Sequence, residues 1–122
     1  MDLYADHILE HYRHPRHRGR LEGAQYHARQ FNPLCGDEAE VFVNVGADGA
    51  VSAMQFVNQG CAISTAALSL LAEHARGQTL PALGALTDDE FLARLNLTPT
   101  PGRRQCALLG LTALKKAVHY AP

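Results

Sequence analysis

Much is missing from these 122 residues. No charge sign dominates: 11 Lys and Arg stand against 12 Asp and Glu, a formal net charge of −1. That removes the global electrostatic argument for nucleic acid or an anionic membrane surface. No apolar run reaches the ~18 residues that span a bilayer; the most apolar stretch, CAISTAALSLLA, stops short of it. The opening MDLYADHILEHYRHP carries acids where a signal peptide needs a basic region, and no continuous apolar run follows. The acid-poor, Arg/Ser-rich character of a transit peptide is also lacking. The expectation is a soluble, cytoplasmic protein. There is no internal repeat, low-complexity tract or linker, so one domain over residues 1–122 is expected. Finally there is no C-x-x-C, and the three cysteines are an odd number that cannot all pair within one chain.

What is present is globular. The apolar share of 47% and charged share of 19% suit a chain that builds its own core. Residues 2–13 read as an amphipathic helix, with Leu3, His7, Ile8 and His11 at helical spacings and Pro15 ending it. HPRHRGRLEGAQ is a polar loop. EVFVNV and AVSAMQFV flank Ala47-Asp48-Gly49, a strong hairpin signal, and Val41, Val43 and Val45 alternate as in a half-buried strand. A further strand is expected around 25–31. In CAISTAALSLLAEHARG, the positions Ile63, Ala66, Ala67, Leu70, Leu71 and His74 form a helical stripe, with Gly77 at its end. Thr87 to Glu90 reads as a capping box, LTPTPG as a rigid loop, and a last helix starts near Arg103 with Leu108, Leu111, Leu114 and Val118 on one side. Strands first and helices afterwards predict an α+β fold: a small antiparallel three-stranded sheet with helices packed on one face.

This map makes the cysteines informative. Cys35 sits in the turn NPLCGD beside Asp37, Cys61 at a strand-to-helix junction, and Cys106 in the expected first turn of the last helix. A hairpin of similar strands brings its far ends together, so Cys35 and Cys61 are expected to be neighbours. Helix N-termini favour anions, and thiolate is the form that binds metal. Gly36 and Gly60 leave room for close backbone approach. Three Cys and one Asp can form a tetrahedral zinc site. An iron–sulfur cluster usually takes all-cysteine ligation, so a carboxylate in the fourth place should hold it less firmly. Free cysteine is also often only a buried small residue, and spacing alone leaves core filling open.

Four motifs narrow the choice. YADHILEHYRHPRHRG, NPLCGD, GCAISTAA and PGRRQCALLGLTAL resemble, in order and over nearly the whole chain, the IscU/SufU/NifU N-terminal family of iron–sulfur cluster assembly scaffolds. The resemblance implies that Cys35, Asp37, Cys61 and Cys106 converge on one exposed site for a transient [2Fe–2S] cluster or Zn2+. It implies sulfur delivered as persulfide by a PLP-dependent cysteine desulfurase, iron and electron donors, apo-protein acceptors of the finished cluster, and a monomer or weak dimer. The IscU branch has a His before its third cysteine and an upstream L-P-P-V-K stretch; here Gln105 and TPTPGRR stand instead, so the chaperone handover is not carried over. The SufU branch has an Arg three residues before that cysteine, matched by Arg103, but also an insertion for which this chain has no room. In that branch the zinc site relays sulfur, with Cys35 taking the persulfide and Arg103 in support. By resemblance, Tyr4 would lie in a segment near the desulfurase.

Three functions are therefore weighed: a non-enzymatic scaffold, a zinc-dependent sulfurtransferase, and a structural-zinc interaction module. The first is expected, because the insertion is missing and because a Cys35 loop with an oxygen ligand suits neither a closed nor a sulfur-rich structural site. His7, His11, His14 and His17 are read as a solvated, partly basic surface. RHPRHRGR lacks the interleaved aromatics of a nucleic-acid reader and better suits an acidic partner surface.

Overall fold

The computed structural model describes residues 3–33, 36–96 and 99–119. The elements run α1 (Leu3–Arg13), β1 (Tyr26–Asn32), β2 (Asp37–Val45), β3 (Val51–Gln59), α2 (Ala62–Ala75), α3 (Leu80–Ala85), α4 (Asp88–Leu95) and α5 (Pro101–His119). The α+β expectation holds. The sheet is an antiparallel meander in the order β1-β2-β3. Val41 faces Ala28 and Phe56 across the two ladders, and Val43 faces Tyr26 and Met54. These side chains form the floor on which α5 and α2 lie. The β2–β3 turn closes with the Gly46 N–H donating to the Ala50 carbonyl at 2.8 Å and Gly49 at φ 81°, as Asp48-Gly49 predicts.

The other sheet face is fastened differently. The loop after α1 runs along the free edge of β3: the Gly19 N–H donates to the Phe56 carbonyl at 2.7 Å, and the Phe56 N–H to the His17 carbonyl at 3.2 Å. Arg20 places its guanidinium 5.0 Å from the Phe42 ring centroid and pairs with Glu40 at 3.1 Å. An aromatic on the solvent face is thereby buried.

Helix α2 departs from its expected stripe. Ser64, Thr65, Leu68, Ser69 and Ala72 are buried as well as Ala66, Ala67 and Leu71, while Ile63, Leu70 and His74 are only half-buried. Its neighbours α1, α5 and β3 surround it, so no single stripe describes it. Its contact with α1 corrects the reading of the histidine-rich head. His11 is buried, with Nδ1 2.8 Å from Ser69 Oγ, which also accepts the Arg16 N–H at 2.8 Å. Burial first, then the Arg16 charge, holds His11 below the ordinary histidine value. The reason is packing: His11 falls on the helix face turned to α2.

Two further boundaries differ. Helix α3 is capped by Thr79, whose Oγ1 accepts the Ala82 N–H at 3.2 Å, with Pro81 in its first turn. Six residues are too few for a periodicity signal, and a proline reads as a breaker unless it falls in the first turn. Helix α5 begins at Pro101, and the Arg103 and Arg104 N–H groups both donate to the Thr100 carbonyl at 2.9 Å. Cys106 therefore lies in the second turn, beyond the strongest effect of the helix dipole. No helix among the described residues is long and apolar enough to cross a membrane.

Candidate metal centre

Three elements bring chemistry to one end of the sheet. Asp37 opens β2 opposite Asn32, with Glu38 opposite Gln59 at the end of β3. The expected loop carboxylate is thus a strand residue, and it is buried at 6% exposure. The chain leaves β3 through Gly60 and enters α2 at Cys61, the N-cap, with φ −72° and ψ 173°. Helix α5 delivers Cys106 to the same place. Gly110, one turn further on, makes this approach possible: a Cβ there would collide with the Leu68 side chain on α2.

One ligand atom from each of Asp37, Cys61 and Cys106 lies within 4.8 Å of the others. Ligands of a tetrahedral site with metal–sulfur bonds of ~2.3 Å are about 3.8 Å apart. None of the three donor separations exceeds that spacing by more than about one ångström. Cys61 is half-buried and Cys106 buried. Cys35, the fourth residue predicted from the sequence, lies outside the described residues. Arg103 is exposed in the first turn of α5, whereas its neighbour Arg104 pairs with Asp89 at 3.1 Å.

The surrounding bonds fix the donors. The Cys61 N–H donates to Asp37 Oδ2 at 3.4 Å. The Thr65 N–H donates to the Cys61 carbonyl at 3.1 Å, and Asn58 Nδ2 donates to Thr65 Oγ1 at 2.9 Å. The two glycines expected to permit close approach divide their roles. A Cβ on Gly60 would collide with Ser64 Oγ and sit 3.1 Å from the Asp37 carboxylate carbon. Gly36 meets nothing within 4 Å among the described residues but holds φ 76°, a left-handed conformation that glycine adopts without penalty. Ser64 was not singled out from the sequence. Its signal is a serine and threonine pair in a helix start otherwise built of small and apolar residues, CAISTAA. Beside the centre, Phe31 is 53% exposed and lines a cleft of about 200 Å³ with Gln105 and Leu109.

Soft thiols and one carboxylate, held at the end of a three-stranded meander by the starts of two long helices, define an α+β protein with a candidate thiolate metal centre. The chain belongs to the NifU-like N terminal domain family, whose model matches residues 3–121. It is 29% identical over 116 residues to "Iron-sulfur cluster assembly scaffold protein IscU 1" of Archaeoglobus fulgidus, covering 95% of this chain and 74% of that protein. It is 27% identical over 118 residues to the IscU scaffold protein of Haemophilus influenzae, covering 94% and 92%. The fold matches, at a TM-score of 0.80 and 20% identity, the crystal structure of a candidate iron–sulfur cluster assembly scaffold protein for the SUF system from Fervidobacterium islandicum, covering 93% and 94%.

Proposed function

We propose that this protein is an iron–sulfur cluster assembly scaffold. It accepts sulfur from a PLP-dependent cysteine desulfurase, takes iron and electrons from donors, assembles a transient [2Fe–2S] cluster, and transfers it to apo-proteins. The cluster is cargo, and no substrate is turned over. The observation that carries this reading is the convergence of Asp37, Cys61 and Cys106 within 4.8 Å from three different elements. Membership of a family with relatives named as cluster assembly scaffolds supports it. We assign Cys35, Asp37, Cys61 and Cys106 as the ligand set, with Zn2+ as the ion that fills it when no cluster is bound. The protein acts in the cytoplasm as a monomer or weak dimer.

The carboxylate explains release. Asp37 offers a hard oxygen to a soft cluster and already accepts the Cys61 N–H, so its bond to iron is the weakest of the set. Asp37→Ala should slow transfer and lengthen the lifetime of the bound cluster. Decay and transfer at wild-type rates in that variant would remove Asp37 from this role. The function itself is tested anaerobically with metal-free protein, desulfurase, cysteine, reductant and ferrous iron, followed by an apo-ferredoxin. Charge-transfer bands that form on this protein and then move to the acceptor establish the scaffold. No bands, together with faster desulfurase turnover by the zinc-loaded protein, would establish the sulfur relay with Cys35 as acceptor and Arg103 in support.

A further inference from the structure

We propose that Ser64 is a positioning residue of this centre: its hydroxyl hydrogen-bonds the Cys61 sulfur when that sulfur is bound to metal. The inference rests on Cys61 being a ligand.

Ser64 is 1% exposed in the first turn of α2. A buried hydroxyl must spend its proton on an acceptor. Here the Ser64 hydroxyl donates to the Cys61 carbonyl at 3.1 Å, while the Cys61 thiol donates to Ser64 Oγ at 3.9 Å. The carbonyl does not depend on this bond, because the Thr65 N–H already donates to it at 3.1 Å. Rotating the hydroxyl away therefore leaves no carbonyl without a partner.

A metal-bound sulfur carries no proton, so it can only accept. The contact between Cys61 Sγ and Ser64 Oγ then stays attractive only if the serine becomes the donor. One rotation about the Cβ–Oγ bond achieves this without moving the backbone. Gly60 keeps the space for it, since a Cβ at that position would collide with Ser64 Oγ and press on the Asp37 carboxylate. A donor to metal-bound sulfur lowers the energy of its lone pairs and stabilises the deprotonated, metal-binding form against the thiol, and outer-shell partners of metal ligands are worth about 10–100-fold in binding.

The test uses Co(II) as probe on the wild-type chain, on Ser64→Ala and on Ser64→Thr, which keeps the hydroxyl. Wild type should show a sulfur-to-cobalt charge-transfer band. In S64A the band should move to longer wavelength and affinity should fall about 10-fold, with S64T restoring the wild-type band position. An S64A band identical to wild type overturns the role of Ser64. No charge-transfer band in wild type would instead overturn the ligand set itself. Raman spectra of cobalt-loaded wild type in H2O and D2O decide the point even if S64A does not fold. A deuterium shift of the metal–sulfur stretch that S64T retains supports the bond, and no shift in wild type overturns it.

Discussion

Helix α4 begins at Thr87, whose Oγ1 accepts the Glu90 N–H at 3.1 Å while Glu90 Oε1 accepts the Thr87 N–H at 3.1 Å. Everything that closes this helix start is supplied within four residues, and all of it is exposed. Helix α2 begins at Cys61, whose side chain makes no capping bond. Its N-terminus is attended instead by Asp37, which lies 24 positions upstream and accepts the Cys61 N–H. Where the chain needs only a helix, neighbouring residues finish it. Where it needs a centre, the local cap is left out, and tertiary structure brings the missing groups.

The sharpest way to break this contrast is Cys61→Ser. Serine is a preferred N-cap and cysteine is not, so the metal-free variant should be more stable by about 0.5–1 kcal/mol. Metal binding should fall by more than the ~100-fold at the upper end for outer-shell partners. Thermal melting and Co(II) titration of one sample read both effects. A variant that loses stability along with metal would show that the thiol serves the fold.

Gly60→Ala attacks the same start through space instead of chemistry. Its methyl would collide with Ser64 Oγ and crowd the Asp37 carboxylate. A cost of about 1–3 kcal/mol is expected for such overpacking, with weaker metal binding, because both neighbours must shift. Urea unfolding measures the first and cobalt titration the second. Wild-type values in both would mean that Ser64 and Asp37 move aside freely.

The two starts also differed in how far the sequence exposed them. Thr87 and Glu90 were readable because both halves of a capping box lie in one short window. The hairpin was readable for the same reason, in Asp48-Gly49. At the centre, residue types and motifs pointed to Asp37, Cys61 and Cys106, but not to their setting. Asp37 looked like a loop residue because a strand that opens on an acid has no apolar signal, and only pairing with Asn32 extends β2 that far. Cys106 looked like a first-turn residue because Pro101 and Gly102 resemble a loop ending. His11 acquires meaning only from Ser69 on another helix, which no local window contains, and Ser64 only once Cys61, three residues before it, is read as a ligand.

A smaller break is Thr87→Ala. It removes the side-chain half of a fully exposed cap, and should cost about 1 kcal/mol while leaving cobalt affinity unchanged. Any change in metal binding would mean that α4 communicates with the centre, and the pair between Asp89 and Arg104 ties the start of α4 to the first turn of α5.

The smallest effect is titration of the cap itself. Hydrogen bonds with Thr87, the side chain first and the backbone second, hold Glu90 below its ordinary value of 4.5. The unfolded chain binds that proton more readily than the folded one. The contribution is therefore complete above about pH 4.5 and is lost as pH falls through the lower folded value. Amide protection at the start of α4, taken against the exchange of an unstructured chain at the same pH, should drop over that window in wild type and lose this step in Glu90→Gln, which keeps an acceptor oxygen but cannot titrate there. The start of α2, whose N–H is held by the Asp37 carboxylate, should be unaffected by Glu90→Gln, because Glu90 is not among its bonding partners. A step at the start of α2 that disappears in Glu90→Gln would show that the two helices open as one unit, and that their separation into a closed cap and an open centre is geometric and not energetic.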